Sequence, residues 1–421
     1  MPESSPAAST AASTATSRTA PDRCPGVLRL TEAADGFLAR IRLPGGLVSA
    51  AQLRVLARLA GDLSDGHIEL TSRGNVQLRG LAPDAAGPLT EALSTAGLLP
   101  SLDHDRVRNI LASPLAGLDG GPDLTGIVRA LDAELCARPR LASLPGRFLF
   151  AIDDGRGDVA GHGADVLAVI RNGGAILNGL AVTRDQIVTA MLACAEAFLD
   201  ERAAHGGNAW RIADLPHGHD RVRDAVAERL GLTVAPAAPV PAWPGAGAGG
   251  RPVGVLRRGE EGDAGEAACL PGGPTPPNPP DVHRGTVRDD AASAAVLLAP
   301  LGRLAPPQLT WLCERAEQAR VTPWRSVVLP RLSDPDAVLR EAAALGFGVD
   351  AASPWLRVTA CAGRPDCASA LADVRADAAT FAERWPGRIV HVSGCARHCG
   401  RPAATEIDVT ATSEGYQIAG V

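Results

Sequence analysis

Leu43-Pro-Gly-Gly-Leu-Val-Ser-Ala-Ala-Gln-Leu-Arg-Val-Leu56 decides the fold, because the chain writes it twice. The second copy is Ala299-Pro-Leu-Gly-Arg-Leu-Ala-Pro-Pro-Gln-Leu-Thr-Trp-Leu312. Pro300, Gly302, Gln308, Leu309 and Leu312 repeat Pro44, Gly46, Gln52, Leu53 and Leu56 at a constant offset. A few residues on, Thr71-x4-Val76-x-Leu78-x2-Leu81 is matched by Thr322-x4-Val327-x-Leu329-x2-Leu332. Leu53, Leu56, Leu59 and Ala60 share one helical face, and Val76 and Leu78 alternate as in a half-buried strand. Each copy therefore predicts strand, loop, amphipathic helix, strand. Two blocks agreeing in the same order predict a duplicated α+β unit.

Between the copies, the pattern predicts a helix around Leu124–Cys136, strands at Phe148–Ile152, Val166–Ile170 and Ile176–Leu180, and a long helix around Arg184–Glu201. Ala235-Pro-Ala-Ala-Pro-Val-Pro-Ala-Trp-Pro-Gly-Ala-Gly-Ala-Gly-Gly250 and Pro271-Gly-Gly-Pro-Thr-Pro-Pro-Asn-Pro-Pro280 cannot hold helix or strand ladders, so they predict a linker. The glycines of Gly245–Gly250 lie in that linker rather than after a strand, and no dinucleotide-binding Gly-x-Gly-x-x-Gly is found.

With 421 residues there is room for two or three domains with sizeable cores. A net charge of −6 and a pI near 5.9 point away from nucleic acid and anionic membrane as partners. No apolar run approaches the roughly 20 residues of a membrane span. The Ser/Thr/Ala/Pro-rich start lacks the apolar core of a signal peptide and is expected to be a disordered tail. A cytoplasmic, reducing location follows, in which the nine cysteines are thiols or ligands rather than disulfides. All 41 basic residues are arginine, so an arginine counts here only through its context.

Four of the cysteines have such a context: Cys361-x5-Cys367, then 27 residues, then Cys395-x3-Cys399. Four thiolates in two pairs suit a [4Fe–4S] cluster or zinc, and the x5 spacing exceeds the two to four residues usual for structural zinc. Gly363, Gly394 and Gly400 would let the backbone close around a bulky group. Cys367 is expected to open a helix through Trp385, and a strand at Arg388–Val392 to deliver Cys395 into a turn, so that backbone N–H groups of a helix start face the cluster sulfurs. Cys24, Cys136, Cys194, Cys269 and Cys313 are scattered and read as small hydrophobes.

With the repeat, linker and cysteine framework together, the chain resembles the nitrite/sulfite reductase superfamily. Gly66-His-Ile-Glu-Leu-Thr-Ser-Arg73-Gly-Asn75-Val-Gln77-Leu-Arg79-Gly80-Leu81 resembles its N-terminal signature and Ser393-Gly-Cys395-x3-Cys399-Gly-Arg-Pro402 its cluster signature, over roughly residues 25–415. The resemblance implies a duplicated sulfite-reductase-like α+β architecture around a central cavity. Its expected parts are a tail (1–22), a first ferredoxin-like half-unit (23–98), an α+β domain (99–232), the linker (233–290), a second half-unit (291–350) and a shortened cluster domain (351–421), with only 22 residues after Cys399.

Finer details resemble the precorrin-3B synthase branch. Leu144-Pro-Gly-Arg147-Phe-Leu149-Phe-Ala-Ile-Asp153-Asp-Gly155 lies where sulfite reductases carry a Lys-x-Lys pair that supplies charge and protons to sulfite. Arg147 can stand in for the first lysine, and Leu149 cannot stand in for the second. Thr322-Pro-Trp-Arg325 and Ala360-Cys361-Ala-Gly-x2-Asp-Cys367 also resemble that branch. The activity implied is oxygen-dependent hydroxylation of precorrin-3A with γ-lactone formation, in aerobic cobalamin biosynthesis. The reading that competes most closely is a sirohaem-containing, haem-binding sulfite or nitrite reductase, and the next an iron–sulfur electron-transfer protein.

The same resemblance implies the site. Arg73 and Arg108, and with them Arg147 and Arg325, would grip tetrapyrrole carboxylates, for which a planar guanidinium fork is suited. Asn75 would hydrogen-bond substrate or tie down a turn. Cys361, Cys367, Cys395 and Cys399 would hold the [4Fe–4S] cluster, and His398 could ligate a mononuclear non-haem iron. No catalytic acid or base is identified. Electrons would come from an external donor, a ferredoxin or an NAD(P)H-linked reductase, and the internal repeat makes a monomer sufficient.

Overall fold

A computed structural model of the chain describes residues 24–118, 120–171, 173–236, 253–256, 293–350, 352–402 and 404–420. The expected tail and most of the expected linker, with Cys269 and Gly245–Gly250, lie outside the described residues. In the first half, β1 (Thr31–Ala33), β2 (Gly36–Ile41) and β3 (Leu47–Ser49) lead into α1 (Ala50–Leu63), β4 (Ile68–Leu70), β5 (Val76–Leu81) and α2 (Ala86–Thr95). The middle holds β6 (Ile110–Ala112), α3 (Thr125–Cys136), β7 (Phe150–Asp153), β8 (Val166–Arg171), β9 (Gly174–Leu177), β10 (Leu180–Thr183), α4 (Ile187–Ala204), α5 (Gly218–Leu230) and β11 (Thr233–Val234). Then come β12 (Gly254–Leu256), β13 (Ser293–Leu298), β14 (Arg303–Leu304), α6 (Pro306–Arg315), β15 (Gln318–Val321), β16 (Ser326–Leu332) and α7 (Pro335–Ala344). The chain closes with β17 (Val358–Ala360), α8 (Val374–Arg384), β18 (Val390–Ser393), β19 (Ile407–Thr412) and β20 (Gly415–Ala419).

The repeated residues do the same work in both copies. Gln52 Oε1 accepts the Ser49 backbone N–H at the start of α1 (3.1 Å), and Gln308 Oε1 accepts that of Ala305 at the start of α6 (2.8 Å). Their amides then donate to Ala96 O and Leu345 O, each 3.1 Å away. Thr71 Oγ1 accepts from Asn75 N–H, and Thr322 Oγ1 from Ser326 N–H, both at 3.1 Å, closing equivalent turns. At the crest of the second turn Arg325 holds φ +63° where the first copy has Gly74 at +65°.

The halves exchange strands. The first sheet runs β1-β2-β5-β4-β14 and its counterpart β12-β13-β16-β15-β3, so each half lends a short strand to the other. Val48 lies opposite Ala319, and Arg303 opposite Glu69. Helices α1 and α6 pack together, and Leu53, Leu56 and Leu59 share one core with Leu309, Leu312, Val327 and Leu329. Burying each such side chain contributes about 1.5–3 kcal/mol. The shared core makes the two halves one cooperative unit.

A third sheet, β11-β10-β9-β8-β7-β6, packs its apolar side against α3, α4 and α5, where Phe148, Phe150 and Phe198 form the aromatic centre. Here the expected strand at Ile176–Leu180 is instead a hairpin. Asn178 (φ +45°) and Gly179 (φ +87°) turn the chain between β9 and β10, as an Asn-Gly pair favours. A fourth sheet, β17-β18-β19-β20, covers α8 with Val358, Val390, Val392, Ile407 and Val409.

The helix expected from Cys367 starts later, at Val374. Asp373 accepts the Ala376 N–H and caps it (3.1 Å), while Leu371 N–H donates to Gly394 O (2.7 Å) and draws the preceding segment into a loop. The strand expected at Arg388–Val392 is β18, Val390–Ser393. Among the described residues, no helix is long and apolar enough to cross a membrane.

Candidate functional site

β17 and β18 are parallel neighbours, so the loops that follow them leave the same edge of the sheet. Cys361 immediately follows β17 and Cys395 lies just past β18. The two loops touch: Gly394 N–H donates to Cys361 Sγ at 3.1 Å. A Cβ on Gly394 would come within 2.7 Å of Ala370 Cβ, and one on Gly363 (φ +70°) within 2.8 Å of Val374 Cγ2. Glycine is what lets these loops close. Cys361, Cys367 and Cys395 are half-buried and Cys399 is exposed.

No three of these sulfurs lie within 4.8 Å of one another. Tetrahedral zinc with bonds of about 2.3 Å needs its sulfurs roughly 3.8 Å apart. A [4Fe–4S] cluster places its own irons and sulfides between the thiolates and holds them wider, and the two cysteine loops that would hold it leave the same sheet edge and touch through Gly394. The backbone donor that reaches a sulfur comes from the Gly394 turn and not from a helix start.

The arginines divide. Arg73 is half-buried, and Nη1 donates to Arg147 O at 3.2 Å. Burial, then repulsion from Arg211, pushes its pKa down. Arg147 is exposed, with its guanidinium 4.7 Å above the Trp210 ring. Arg325 is half-buried near Glu69 and Arg375, and burial lowers its pKa. Arg108 is different. It forms a bidentate pair with Asp132 (2.7 Å twice) and donates to Leu98 O at 2.8 Å, so its guanidinium is taken up by its own fold rather than open to a carboxylate. Asn75 is buried and ties the turn: Oδ1 accepts from Leu43 N–H (2.9 Å) and Nδ2 donates to Asn109 Oδ1 (3.4 Å).

Leu149 is 1% exposed and packs with Leu111, Ala151 and Val159. Of the Arg147/Leu149 pair, only Arg147 presents a cation at the surface. His398 Nδ1 lies 3.1 Å from Asp408 Oδ2, a carboxylate that Arg401 Nε also reaches at 3.1 Å. No further imidazole or carboxylate joins them: among the described residues, the metal-capable group of three is Asp153, Asp154 and Asp158. His398 therefore does not fit a non-haem iron site of two histidines and a carboxylate.

Sequence reasoning missed Arg40 and Arg42. They flank buried Ile41 and point to the face of the first sheet opposite its helices, the face that also carries Gln77, Arg79 and Glu69. Arg42 is 2% exposed, and its Nε and Nη2 have no hydrogen-bond partner among the described residues. Burial, then repulsion from Arg40, pushes its pKa down to about 9. A buried guanidinium with open donors is costly unless something anionic meets it. The alternation Arg40-Ile41-Arg42-Leu43 was the available signal. His391, on β18, was missed as well: Nδ1 meets Thr359 Oγ1 at 2.8 Å, and Nε2 is buried without a partner among the described residues. Burial above all lowers its pKa to about 4, so the ring is neutral near pH 7.

The comparisons place the first half. The nitrite/sulfite reductase ferredoxin-like half domain model matches residues 30–96. Residues 30–96 are a nitrite/sulfite reductase ferredoxin-like half domain. That half domain contains Arg40, Arg42, Glu69, Arg73 and Gln77. Over 434 residues the chain is 25% identical to a ferredoxin–nitrite reductase of Synechococcus elongatus, covering 91% of this chain and 78% of that one. Over 418 residues it is 27% identical to a precorrin-3B synthase of a Sinorhizobium species, covering 93% and 81%. The solved structure of Mycobacterium tuberculosis NirA protein superposes with a TM-score of 0.65 at 21% identity, over 91% of this chain and 74% of that chain. The half domain thus sits within an α+β, sulfite-reductase-like fold.

Proposed function

We propose that this chain is an oxygen-dependent monooxygenase that hydroxylates precorrin-3A with closure of a γ-lactone, giving precorrin-3B. The observation that carries the choice is Leu149, buried in an apolar cluster where a sulfite reductase needs a second cation. The likeness to the Sinorhizobium synthase supports it. One oxygen atom of O2 enters a meso carbon and the other leaves as water, consuming two protons and two electrons from an external ferredoxin or NAD(P)H-linked reductase. The ring-A acetate closes the lactone.

In this reading Arg42, Arg73, Arg147 and Arg325 receive the substrate's carboxylates, bidentately where the fork is free. Arg108 braces α3 through Asp132 and takes no part in binding. Asn75 fixes the turn that presents Arg73. Cys361, Cys367, Cys395 and Cys399 would hold a [4Fe–4S] cluster, which would supply one-electron transfer. The parts are the half-units at 23–98 and 291–350, the domains at 99–232 and 351–421, and the linker between. The setting is cytoplasmic, and the interlocked halves let a monomer work.

The likeness to a nitrite reductase favours the sirohaem reading on one count, so the test must separate the two. We expect anaerobically purified protein to show a broad iron–sulfur shoulder without haem bands, with iron and acid-labile sulfide in equal amounts. Strong sirohaem bands at the same sulfide content would replace this reading with a sulfite or nitrite reductase. Colourless, zinc-containing protein would sink both.

A further inference from the structure

One hydrogen-bonded chain of charges runs from Arg40 to the cysteine loop. Arg40 Nη2 donates to Gln77 Oε1 at 3.0 Å, and Gln77 Nε2 donates to Glu69 Oε2 at 2.5 Å. The other oxygen of Glu69 accepts from Arg375 Nη2. Arg375 Nη1 donates to Asp366 Oδ2 at 2.5 Å, and Asp366 is the residue before Cys367. Arg79, itself held bidentately by Asp35 (3.0 and 2.9 Å), donates to Asp366 O at 2.9 Å. Glu69 and Asp366 are buried, and the Arg375 side chain is 18% exposed.

Such a chain is more than a brace, because Glu69 faces both ends. Its field acts on Arg40 and Arg325 on one side, and its carboxylate binds Arg375 on the other. Arg375 is shared between Glu69 and Asp366, so any change in how firmly Glu69 holds it is passed to the backbone beside Cys367. An anion that engages Arg40 competes with Gln77 for that guanidinium and frees Glu69 to hold Arg375 more tightly.

We propose that Glu69 and Arg375 are positioning residues that couple occupancy of the arginine pocket by a polycarboxylate to the cysteine loop. The inference rests on the carboxylate-gripping reading of the arginines given above. Coupling between two sites is reciprocal and typically about 5- to 150-fold in affinity. Because Arg375 drawn towards Glu69 leaves less positive charge at Asp366 beside the cysteine loop, and reduction adds negative charge there, the bound polycarboxylate should lower the cluster's midpoint potential, and oxidised protein should bind it more tightly.

Uroporphyrin, an eight-carboxylate macrocycle, serves as the probe. Its binding is followed by fluorescence in oxidised and reduced protein, and the potential by redox titration with and without it. Wild type is expected to bind about fivefold or more tightly when oxidised. Glu69→Gln should still bind the probe, with that ratio falling towards one and the potential no longer moving. Gln77→Ala leaves the Glu69–Arg375 and Arg375–Asp366 pairs intact, removes the Arg40–Gln77 hydrogen bond at the head of the chain, and should weaken the ratio in the same direction. Should Glu69→Gln not fold, Gln77→Ala decides alone. An undiminished potential shift in the variants would mean that the field acts directly through space, and would overturn the relay. Tight binding to wild type without any shift would overturn it too. Failure of wild type to bind the probe at all would remove the carboxylate reading of the pocket, and the coupling with it.

Discussion

Cys395→Ser is expected to abolish the visible iron–sulfur absorption, with iron and sulfide lost together. Cys395 sits just past β18, in the loop that closes on Cys361 through Gly394. A hydroxyl is a poor ligand for soft iron–sulfur chemistry, so the second pair of ligands is broken. The consequence extends to stability. A cluster held by these cysteines would tie the Cys361–Cys367 loop to the Cys395–Cys399 loop across 27 intervening residues. A cross-link closing a loop of that size is worth about 3.5 kcal/mol in the chain-entropy model. The sheet β17–β20 has a small core of its own, so it should melt first, while the shared core of the two halves persists. Scanning calorimetry with far-UV circular dichroism would read this as a new low-temperature transition. A single unchanged transition together with retained sulfide would argue that these cysteines do not hold the cluster.

Arg42→Met should move stability and binding in opposite directions. The folded state lowers the Arg42 pKa from its ordinary value to about 9, chiefly by burial. A cation whose folded pKa is depressed destabilises the fold at every pH below the folded value, and the penalty disappears only as pH rises towards the unfolded value. At neutral pH the penalty is fully present. Replacing the guanidinium with an apolar chain of similar length is therefore expected to stabilise the protein by about 1–4 kcal/mol, with a gain that shrinks above about pH 9. The same change removes open donors at Nε and Nη2. Losing a charge-assisted hydrogen bond worth about 1.5–3 kcal/mol weakens carboxylate binding roughly 10- to 100-fold. Stability gained as affinity falls marks a residue kept for function. A destabilised Arg42→Met protein with unchanged uroporphyrin affinity would show Arg42 to be structural.

The duplicated fold was legible because its signals are local. Gln52 and Gln308 cap helices, Thr71 and Thr322 close turns, and the apolar residues between them fall on one face. The exchange of β3 and β14 was not legible, since strands of two or three residues have no periodicity and their partners lie far along the chain. The helix expected from Cys367 failed for a similar reason. Its alanines favour a helix, but the long-range bond from Leu371 N–H to Gly394 O overrides them. The four cysteines stood out by spacing. Arg42 and His391 did not, because in a chain whose every basic residue is arginine only burial separates a pocket residue from a surface one, and His391 needed the pairing of β17 with β18 to bring Thr359 alongside.

The reaction itself can be read in one experiment. Precorrin-3A, reduced ferredoxin and 18O2 are supplied to the iron–sulfur protein under single-turnover conditions, and the product is weighed by mass spectrometry. One 18O atom incorporated per macrocycle, with the second recovered in water, is the result this account predicts. Unchanged precorrin-3A, in a preparation that reduces sulfite or nitrite under the same electron supply, would contradict it.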